Sequence, residues 1–550
     1  MPTSVGNHRL HDIMHRKWVY GGCVGEGPRA SCSTKPGRDR FWGSTTSSRG
    51  SWLSPEQCLS TRLSAATIAT RALCYMPIAD LIVAFKAARL SPIDLLQAQI
   101  KRIGEYNPLV NAITYKHYEQ ARADAKASEE RYRNGTERPL DGITVALKDE
   151  NERKGWRVTQ GSLIYKDAPP AAENSAIVDA LEAAGAVMHI QTTVPEFYLA
   201  VAASTYAWGT TRDPWNLDYS PGGSSSGSGA ALAAGFATLA TGSDMGGSIR
   251  LPASQCGLYG FKPPFGRVAT SDIAYESAGP LARRFDDMAR FQNAIVGPSP
   301  KVLSSLRPRL DYPLRYESIA GWRIAFDWGA GIDEPLPSMR GKMLAALGRL
   351  RELGCTVEEV DCGFAADQVG TFQAGMMSSG LGQMLITAEK NKERLTPYVR
   401  QQLEGNYATL GPSQAALLDE LGTKLHRQVQ ERVFLEGFQV LLMPTASTPF
   451  VKADTLASKE EVLVATGMKF PMTWPWNLLG RYPVVDVRLG LIEKNMPVGM
   501  QVIGNSFDDL AAFRFAYEWD KLSPRLFEEE RLPSFRSEPG TREPRRGVRR

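Results

Sequence analysis

The chain has few of the residues that usually build metal centres or covalent cross-links. It contains seven cysteines and six histidines in 550 residues, and no cysteines show the paired CxxC spacing. An odd number of cysteines without that spacing argues against both a zinc site and a disulfide framework. The sequence therefore predicts no metal and no cofactor, and it favours a reducing, cytoplasmic setting.

The chain also lacks an apolar run of the length that a membrane helix needs, which is about 18 residues or more. Hydrophobic residues make up 43% of the sequence and charged residues 22%, which is typical of a soluble globular protein. The length would allow two to four domains, although long α/β enzymes often fold as one unit. No membrane partner is expected.

The net charge of +5 belongs to the two ends of the chain. Residues 1–75 carry ten Lys or Arg against four Asp or Glu, and residues 531–550 carry seven Arg against two Glu. The body between them has a net charge of −6. A mildly acidic body argues against a nucleic-acid-binding surface.

The same end segments set the predicted domain boundaries. Residues 1–75 are rich in Ser, Gly and Arg and sustain no helical period, so they are interpreted as a disordered extension or as a start placed too early, before Met76. A transit peptide is the alternative, because the segment is poor in acidic residues. Residues 76–530 are the predicted folded domain, and residues 531–550 a disordered Arg-rich tail.

Strand and helix patterns alternate along the body. Ser91-Pro92-Ile93-Asp94 has the N-cap, first-turn proline and acidic third position of a helix start, and Asn107-Pro108 should end that helix. The remaining predicted helices cover 117–133, 174–184, 230–239, 337–353, 414–437 and 508–520, and the predicted strands cover 142–147, 186–190, 440–443 and 484–491. This alternation predicts a single α/β domain with helices on both faces of its sheet.

Two serines set among glycines, Ser224 and Ser248, are the main candidates for chemistry. Glycine next to a serine allows sharp turns and close approach of the backbone. Catalysis by a serine needs an accessible hydroxyl, nearby backbone N–H groups and a base. The spacing and composition of Pro221–Pro252 meet the first two needs.

The base is more difficult to assign. His8, His11 and His15 lie in the N-terminal segment, where a metal site is an alternative function for them. The other three histidines, His117, His189 and His426, do not stand in a glycine-rich loop. Lys148 follows the apolar residues Val145-Ala146-Leu147, and burial at a strand end would favour the neutral amine that can accept a proton. An ordinary lysine paired with Asp149 is the alternative.

At this point the motifs match a known family. GGSSSGSGA at 222–230, GSDMGGSIR at 242–250, GLYGFKP at 257–263 and VALKDE at 145–150 resemble the signature of the amidase signature hydrolases. The resemblance covers about residues 76–520, with LLMPT at 441–445 and MPVGMQVIG at 496–504, and excludes both tails. It implies the α/β/α amidase signature fold, a small-molecule amide substrate, and a homodimer as a common state of such proteins.

The resemblance also assigns roles to residues. It implies Ser248 as nucleophile, Ser224 as a bridging serine joined to Gly223 by a cis peptide bond, and Lys148 as base. The N–H groups of Met245, Gly246, Gly247 and Ser248 are the expected oxyanion hole. Supporting loop roles fall to Gly223, Ser225, Asp244 and Arg250, with local pairing expected between the last two.

Several positions stay open. Ser226, Gln191-Thr192 and Asp213 depart from residues that are common in the family, which leaves the local loop geometry open. The segment 375–384, rich in Met, and the side chains of Trp474 and Trp476 fit either a substrate pocket or the core.

Three functions are consistent with these motifs. The first is hydrolysis of a carboxylic amide, anilide, urea or carbamate through an acyl-enzyme. The second is the amidase subunit of a glutamine-dependent amidotransferase, which would release ammonia for a partner that binds tRNA. The third is a non-catalytic binder of phosphate or a small molecule, although the loop lacks the Lys-Ser/Thr ending of a P-loop.

Overall fold

The computed structural model describes residues 70–329, 331, 334–380, 382–404, 412–456, 470–528 and 531–538. All of them belong to one unit, which spans Leu59–Arg550. The first described helix, Thr70–Cys74, begins before Met76, so ordered structure starts earlier than the predicted boundary. The predictions for residues 1–69, including the three histidines, lie outside the described residues.

Short strands follow the apolar segments of the body, and most of them pair in one sheet. They are β1 (Ile113–Lys116), β2 (Thr144–Lys148), β3 (Val187–Thr192), β4 (Ser204–Thr205), β5 (Gly209–Thr210), β6 (Leu239–Asp244), β7 (Tyr259–Lys262), β8 (Ser277–Ala282), β9 (Arg323–Phe326), β10 (Thr356–Glu359), β11 (Val440–Pro444), β12 (Val484–Leu491) and β13 (Pro497–Ile503). Within the described chain, eleven strands form a sheet in the order β1-β3-β2-β6-β8-β7-β12-β13-β11-β9-β10, and β4 pairs with β5 separately. The sheet is mixed: β2 runs parallel to β3 and β6, whereas β6 and β8 are antiparallel.

Helices connect these strands and cover the sheet. They are α1 (Thr70–Cys74), α2 (Ile78–Lys86), α3 (Pro92–Val110), α4 (Tyr118–Asn134), α5 (Ala176–Ala184), α6 (Ser226–Ala234), α7 (Arg250–Cys256), α8 (Phe285–Ile295), α9 (Pro337–Glu352), α10 (Ala366–Gly380), α11 (Gly382–Glu389), α12 (Pro397–Glu404), α13 (Pro412–Val429), α14 (Pro475–Leu478) and α15 (Asp509–Leu522). Short 3₁₀ turns lie at Glu196–Tyr198, Lys392–Arg394 and Glu493–Asn495, and a π-helical turn at Gln430–Phe434.

The central strands are buried on both faces. Every residue of β2, β3 and β6 is buried, as is every residue of β12 except the last. Side chains alternate between the two faces of a strand, so continuous burial requires cover on both sides. The predicted α/β sandwich is therefore confirmed.

Helix α3 begins as the sequence predicts and ends later. The Ile93 N–H donates to Ser91 Oγ at 3.0 Å, and Asp94 accepts the Ser91 N–H at 2.9 Å, which completes a capping box. Pro108 does not end the helix, which continues through it to Val110. Termination occurs at Asn111, which has a left-handed φ of 53°.

The helix predicted over 230–239 lies earlier in the chain. Helix α6 spans Ser226–Ala234, Gly235 caps it with a φ of 75°, and residues from Leu239 onward form β6. The first of the two glycines in α6, Gly227, lies against neighbouring backbone that leaves no room for a side chain. A Cβ at Gly227 would stand 2.3 Å from Thr193 N and 2.5 Å from Ala112 O.

The first part of the C-terminal tail is also held to the domain, in contrast to the predicted disorder. Leu217 N–H donates to Arg536 O at 2.9 Å, and Phe535 N–H donates to Pro214 O at 2.9 Å. The Phe535 ring packs on Tyr106, with ring centroids 4.3 Å apart. Residues 539–550 lie outside the described residues.

The contact at Gly227 yields a test of the fold. Gly227→Ala should lower the free energy of unfolding by about 3 kcal/mol, because rigid backbone atoms cannot yield to the added methyl group. The matched control is Gly104→Ala in α3, where an added Cβ meets nothing within 4 Å. That control should raise stability by up to about 1 kcal/mol. Urea unfolding midpoints measure both, and equal shifts would contradict the proposed packing.

Candidate active site

Lys148 lies at the carboxyl end of β2 with its side chain fully buried. Its backbone N–H donates to Thr241 Oγ1 on the neighbouring strand β6 at 2.9 Å. Its Nζ lies 3.0 Å from Ser224 Oγ, 2.8 Å from Ser243 Oγ and 3.2 Å from Glu150 Oε2. The predicted contact between Lys148 and the first candidate serine is therefore present in the structure.

Ser224 is carried by the loop that precedes α6. The Gly223–Ser224 peptide bond is cis, as the resemblance implies. Ser224 is only 2% exposed. Its neighbour Ser225 donates its backbone N–H to Ser248 O at 3.3 Å and its hydroxyl to Ser243 O at 3.4 Å. These two bonds place the loop of Ser224 directly beside the loop of Ser248.

Ser248 lies between β6, which ends at Asp244, and α7, which begins at Arg250. Ser248, Met245 and Gly246 are half-buried, whereas Gly247 and Ile249 are buried. The loop therefore exposes the candidate nucleophile while both of its neighbours remain inside the protein. The φ of Gly247 is 121°, and a Cβ there would lie 2.3 Å from Thr473 Oγ1, so this position requires glycine.

A buried ion pair encloses this loop. Arg250 Nε and Nη2 donate to the Asp244 carboxylate at 2.9 and 2.8 Å, and neither side chain is exposed. Burial alone would raise the pKa of Asp244, but the Arg250 charge and hydrogen bonds from Arg250 and Asn477 hold it well below its ordinary range. A lowered carboxyl pKa stabilises the fold at neutral pH, and that contribution is lost as the pH falls through the acidic range. The predicted local pairing is present.

The remaining donors of Arg250 reach the C-terminal half of the chain. Nη1 donates to Thr473 O at 2.9 Å and to Gln501 Oε1 at 2.7 Å, and Nη2 donates to Asn477 Oδ1 at 2.7 Å. Asn477 in turn donates to Asp244 Oδ1 at 2.9 Å. The sequence offered no signal for these three partners, because they are more than 220 positions away.

One of the N–H groups expected to form the oxyanion hole already has a hydrogen-bond acceptor within the protein. The Gly247 N–H donates to Asp244 Oδ1 at 2.7 Å, so it is occupied inside the loop. An ionised carboxylate is a strong acceptor for such an N–H group. Gly246 accepts the Thr473 hydroxyl through its carbonyl at 2.6 Å, which fixes the orientation of that peptide.

Two polar neighbours of Lys148 were not predicted. Ser243 Oγ donates to Glu150 Oε2 at 2.9 Å, so Lys148, Ser243 and Glu150 form a closed triangle. Ser243 directly precedes the motif aspartate, and Glu150 follows the lysine by two positions. The segment VALKDE does carry a signal for Glu150, because a tight turn after the strand can return the Glu150 side chain to the lysine.

Aromatic and acidic groups complete the surroundings of Lys148. Its Nζ lies 5.2 Å from the centre of the Tyr198 ring. Burial raises the pKa of Asp149 to about 7, although hydrogen bonds from Thr159 to its carboxylate oppose the shift. The Asp149 carboxylate therefore binds Thr159, which differs from the alternative interpretation that paired it with Lys148.

None of the three described histidines contacts the candidate serines through a bond found in the structure. His117 stacks on Trp156 with ring centroids 3.4 Å apart, His189 bonds Phe236 O, and His426 bonds the Tyr482 hydroxyl. Trp474 and Trp476 are fully buried core residues. The side chains of Met376, Met377 and Met384 lie outside the described residues.

Most of the positions that depart from the residues common in the family form hydrogen bonds with neighbouring segments. Gln191 bonds His117 and Arg157 O, and Thr192 bonds Leu147 O and Ser228. Asp213 accepts the Trp215 N–H at 2.8 Å. Ser226 Oγ is buried without a hydrogen-bond partner at the start of α6.

The described residues contain neither a metal-binding cluster nor a membrane-spanning helix. No group of three or more His, Cys, Asp or Glu side chains there could hold a metal ion. No described helix is both long enough and apolar enough to cross a membrane.

Together these observations define an α/β protein with a buried serine–lysine cluster at the carboxyl end of parallel strands. The amidase family model matches residues 94–512, and the chain belongs to that family, the amidase signature enzymes.

Relatives of known identity fall into two groups. The chain is 31% identical to the A subunit of glutamyl-tRNA(Gln) amidotransferase from Geobacillus thermodenitrificans over 78% of this chain and 93% of that protein. It also matches the crystal structure of a bacterial aryl acylamidase of the amidase signature family, with 26% identity, a TM-score of 0.72, and coverage of 82% and 99%. The peptide amidase of Stenotrophomonas maltophilia shares the fold at 24% identity, with a TM-score of 0.69 and coverage of 84% and 98%.

The Asp244–Arg250 pair leads to a prediction about stability. Arg250→Gln should lower the free energy of unfolding by about 3–5 kcal/mol, because it leaves the Asp244 carboxylate buried without its counter-charge. Arg315→Gln is the control, since the Arg315–Asp286 pair is 68% and 32% exposed. Its removal should cost less than about 1 kcal/mol. Urea unfolding at pH 7 compares the variants, and a small effect at Arg250 would contradict the importance of the buried pair.

Proposed function

We propose that the chain hydrolyses the C–N bond of a carboxylic amide, or of a related anilide, urea or carbamate, through an acyl-enzyme. Ser248 acts as nucleophile, Ser224 as bridging serine and Lys148 as base. The observation that carries this proposal is the 3.0 Å contact between Lys148 Nζ and Ser224 Oγ, inside a fully buried environment. Family membership and the likeness to a bacterial aryl acylamidase support it.

The proposed reaction begins with the neutral amine of Lys148. The amine accepts the proton of Ser224 while Ser224 accepts that of Ser248, and the Ser248 oxygen attacks the carbonyl carbon of the substrate. The proton returns through Ser224 to the leaving nitrogen as the C–N bond breaks. Water then attacks the acyl ester by the same proton route, releasing the acid and regenerating Ser248.

The oxyanion of the tetrahedral intermediate needs donors aimed at it before the reaction begins. Met245 and Gly246 are half-buried beside Ser248, and the hydrogen bond from Thr473 to Gly246 O fixes the peptide between Gly246 and Gly247. The N–H groups of Met245, Gly246 and Ser248 are therefore the proposed donors. Loss of one such donor typically reduces kcat by about 10²–10³-fold.

Ser248→Ala tests the nucleophile. The substitution should abolish both amide hydrolysis and labelling by a fluorophosphonate probe, because no other hydroxyl replaces the attacking oxygen. Initial rates with a panel of anilides, aliphatic amides, ureas and carbamates measure the first effect, and protein mass measures the second.

Ser226→Ala is the matched control for that test. It removes a hydroxyl two positions from Ser224 that is buried without a partner, so kcat/KM should stay within about threefold of the wild-type value. Retained turnover in Ser248→Ala, or equal losses in both variants, would refute the assignment of the nucleophile.

A second candidate function follows from the curated relatives. Identity of 31% to the A subunit of a glutamyl-tRNA(Gln) amidotransferase, over most of both chains, supports an amidotransferase component that releases ammonia from glutamine. That function would use the same serine–lysine chemistry on a different amide. The two candidates differ in substrate and in dependence on partner subunits.

Substrate preference distinguishes the two candidates. The purified chain should hydrolyse at least one anilide or aliphatic amide of the panel with kcat/KM at least about tenfold above that for glutamine, since specificity is a ratio of kcat/KM values. Ammonia release and arylamine release measure the two reactions. Activity confined to glutamine, or activity only after co-purification with partner subunits, would favour the amidotransferase function.

A further inference from the structure

The chain reverses direction immediately after Lys148 and returns an acidic side chain to it. The N–H groups of Glu150 and Asn151 both donate to Lys148 O, at 2.7 and 2.9 Å. Asn151 Oδ1 accepts the Thr241 hydroxyl at 2.6 Å, which holds this turn against β6. As a result Glu150 Oε2 lies 3.2 Å from Lys148 Nζ.

Lys148 Nζ is surrounded as an ammonium group would require. An ammonium carries three N–H donors, and Nζ has three oxygen atoms within 3.2 Å, from Ser224, Ser243 and Glu150. A protonated lysine in this position cannot accept the proton of Ser224. The proposed reaction therefore requires one proton to leave Nζ before Ser248 attacks.

Of these three oxygen groups, the carboxylate is by far the strongest base, because a protonated hydroxyl is a much stronger acid than a carboxylic acid. The exposed fraction of the side chains also increases from Lys148 towards Glu150. Lys148 is 0% exposed and Ser224 2%, whereas the Glu150 side chain is 15% exposed. Glu150 is therefore both the base nearest to the lysine and the group in this cluster with the most access to water.

Other titratable groups surround this cluster. Glu276 lies in the loop before β8, and its enclosed position together with the negative charge of Glu150 raises its pKa above the ordinary range. Asp149 is on the same turn but binds Thr159, and Tyr198 presents its ring to Nζ. Two neighbouring carboxylates repel each other, which adds to the effect of burial on Glu276.

We propose that Glu150 accepts the proton of Lys148 and thereby generates the neutral amine that the site needs. One N–H bond of the Lys148 ammonium breaks, an O–H bond forms on Glu150 Oε2, and the ion pair becomes a neutral amine beside a carboxylic acid. No charge or atom leaves the site. Glu150 acts through Lys148 and is a positioning residue, and the inference rests on the proposed roles of Lys148 and Ser248.

The pH dependence of Glu150→Gln tests this inference. Glutamine keeps the acceptor oxygen but cannot take a proton, so Lys148 must lose its proton to solvent. The acidic limb of the rate profile should then move to higher pH. The ratio of the rate at pH 6 to the rate at pH 9 should be at least about tenfold lower than in the wild type. A carboxylate that only stabilised the ammonium would give the opposite shift, because its removal would release the proton more readily.

The readout is the rate of Ser248 labelling by a fluorophosphonate from pH 5 to 10, together with amide turnover. Glu152→Gln is the matched control: it makes the same charge change on an exposed side chain two residues along and should leave the profile unchanged. Glu150→Ala removes the carboxylate without adding an amide and should shift the limb in the same direction.

The outcomes separate this inference from the proposed function. Suppose that the wild-type protein is labelled at Ser248 and that the acidic limb of a folded Glu150 variant is unmoved or moves to lower pH. That result would overturn the role of Glu150 alone. Absence of Ser248 labelling in the wild-type protein would overturn the proposed function and this inference together.

Discussion

The buried ion pair between Asp244 and Arg250 is the constraint on which the candidate site depends. Asp244 accepts the N–H groups of Gly247 and Ile249 at 2.7 and 3.1 Å, so the backbone is tied to one carboxylate on both sides of Ser248. The backbone on either side of Ser248 is thus fixed in position. Arg250 extends the constraint to Thr473, Asn477 and Gln501. The nucleophile loop is correctly shaped only when the two halves of the chain are folded together.

Sheet topology explains why the lysine meets this loop. Strands β2 and β6 are parallel neighbours, with Val145 opposite Leu239 and Ala146 opposite Ala240. Parallel strands end at the same edge of a sheet, and that edge is where open α/β sheets bind ligands. The same register brings the end of β2, at Lys148, level with the end of β6, where Ser243 and Asp244 lie. Lys148 and the loop of Ser248 are therefore brought together by strand pairing, although about 100 positions separate them.

Local signals in the sequence predicted the parts of this arrangement that depend on motifs. Ser224 and Lys148 lie in contact, and the Ser91 cap formed as expected. Failures came from packing and from long-range contacts. The helix predicted over 230–239 begins at Ser226 instead, and Gly227 is required there because the backbone at Thr193 and Ala112 leaves no room for a side chain. The remote partners of Arg250 could not be assigned, since they are carbonyl and amide oxygens more than 220 positions away.

The origin of the site residues bears on the choice between the two candidate functions. Lys148, Ser224 and Ser248, with the ion pair that braces them, all come from this chain. The proposed acylation of Ser248 would therefore use residues of this chain in either function. Hydrolysis of an amide by the isolated chain is consequently compatible with both functions. The decisive comparison is the ratio of kcat/KM values between glutamine and other amides, because that ratio reports the surroundings of Ser248 rather than the chemistry the two functions share.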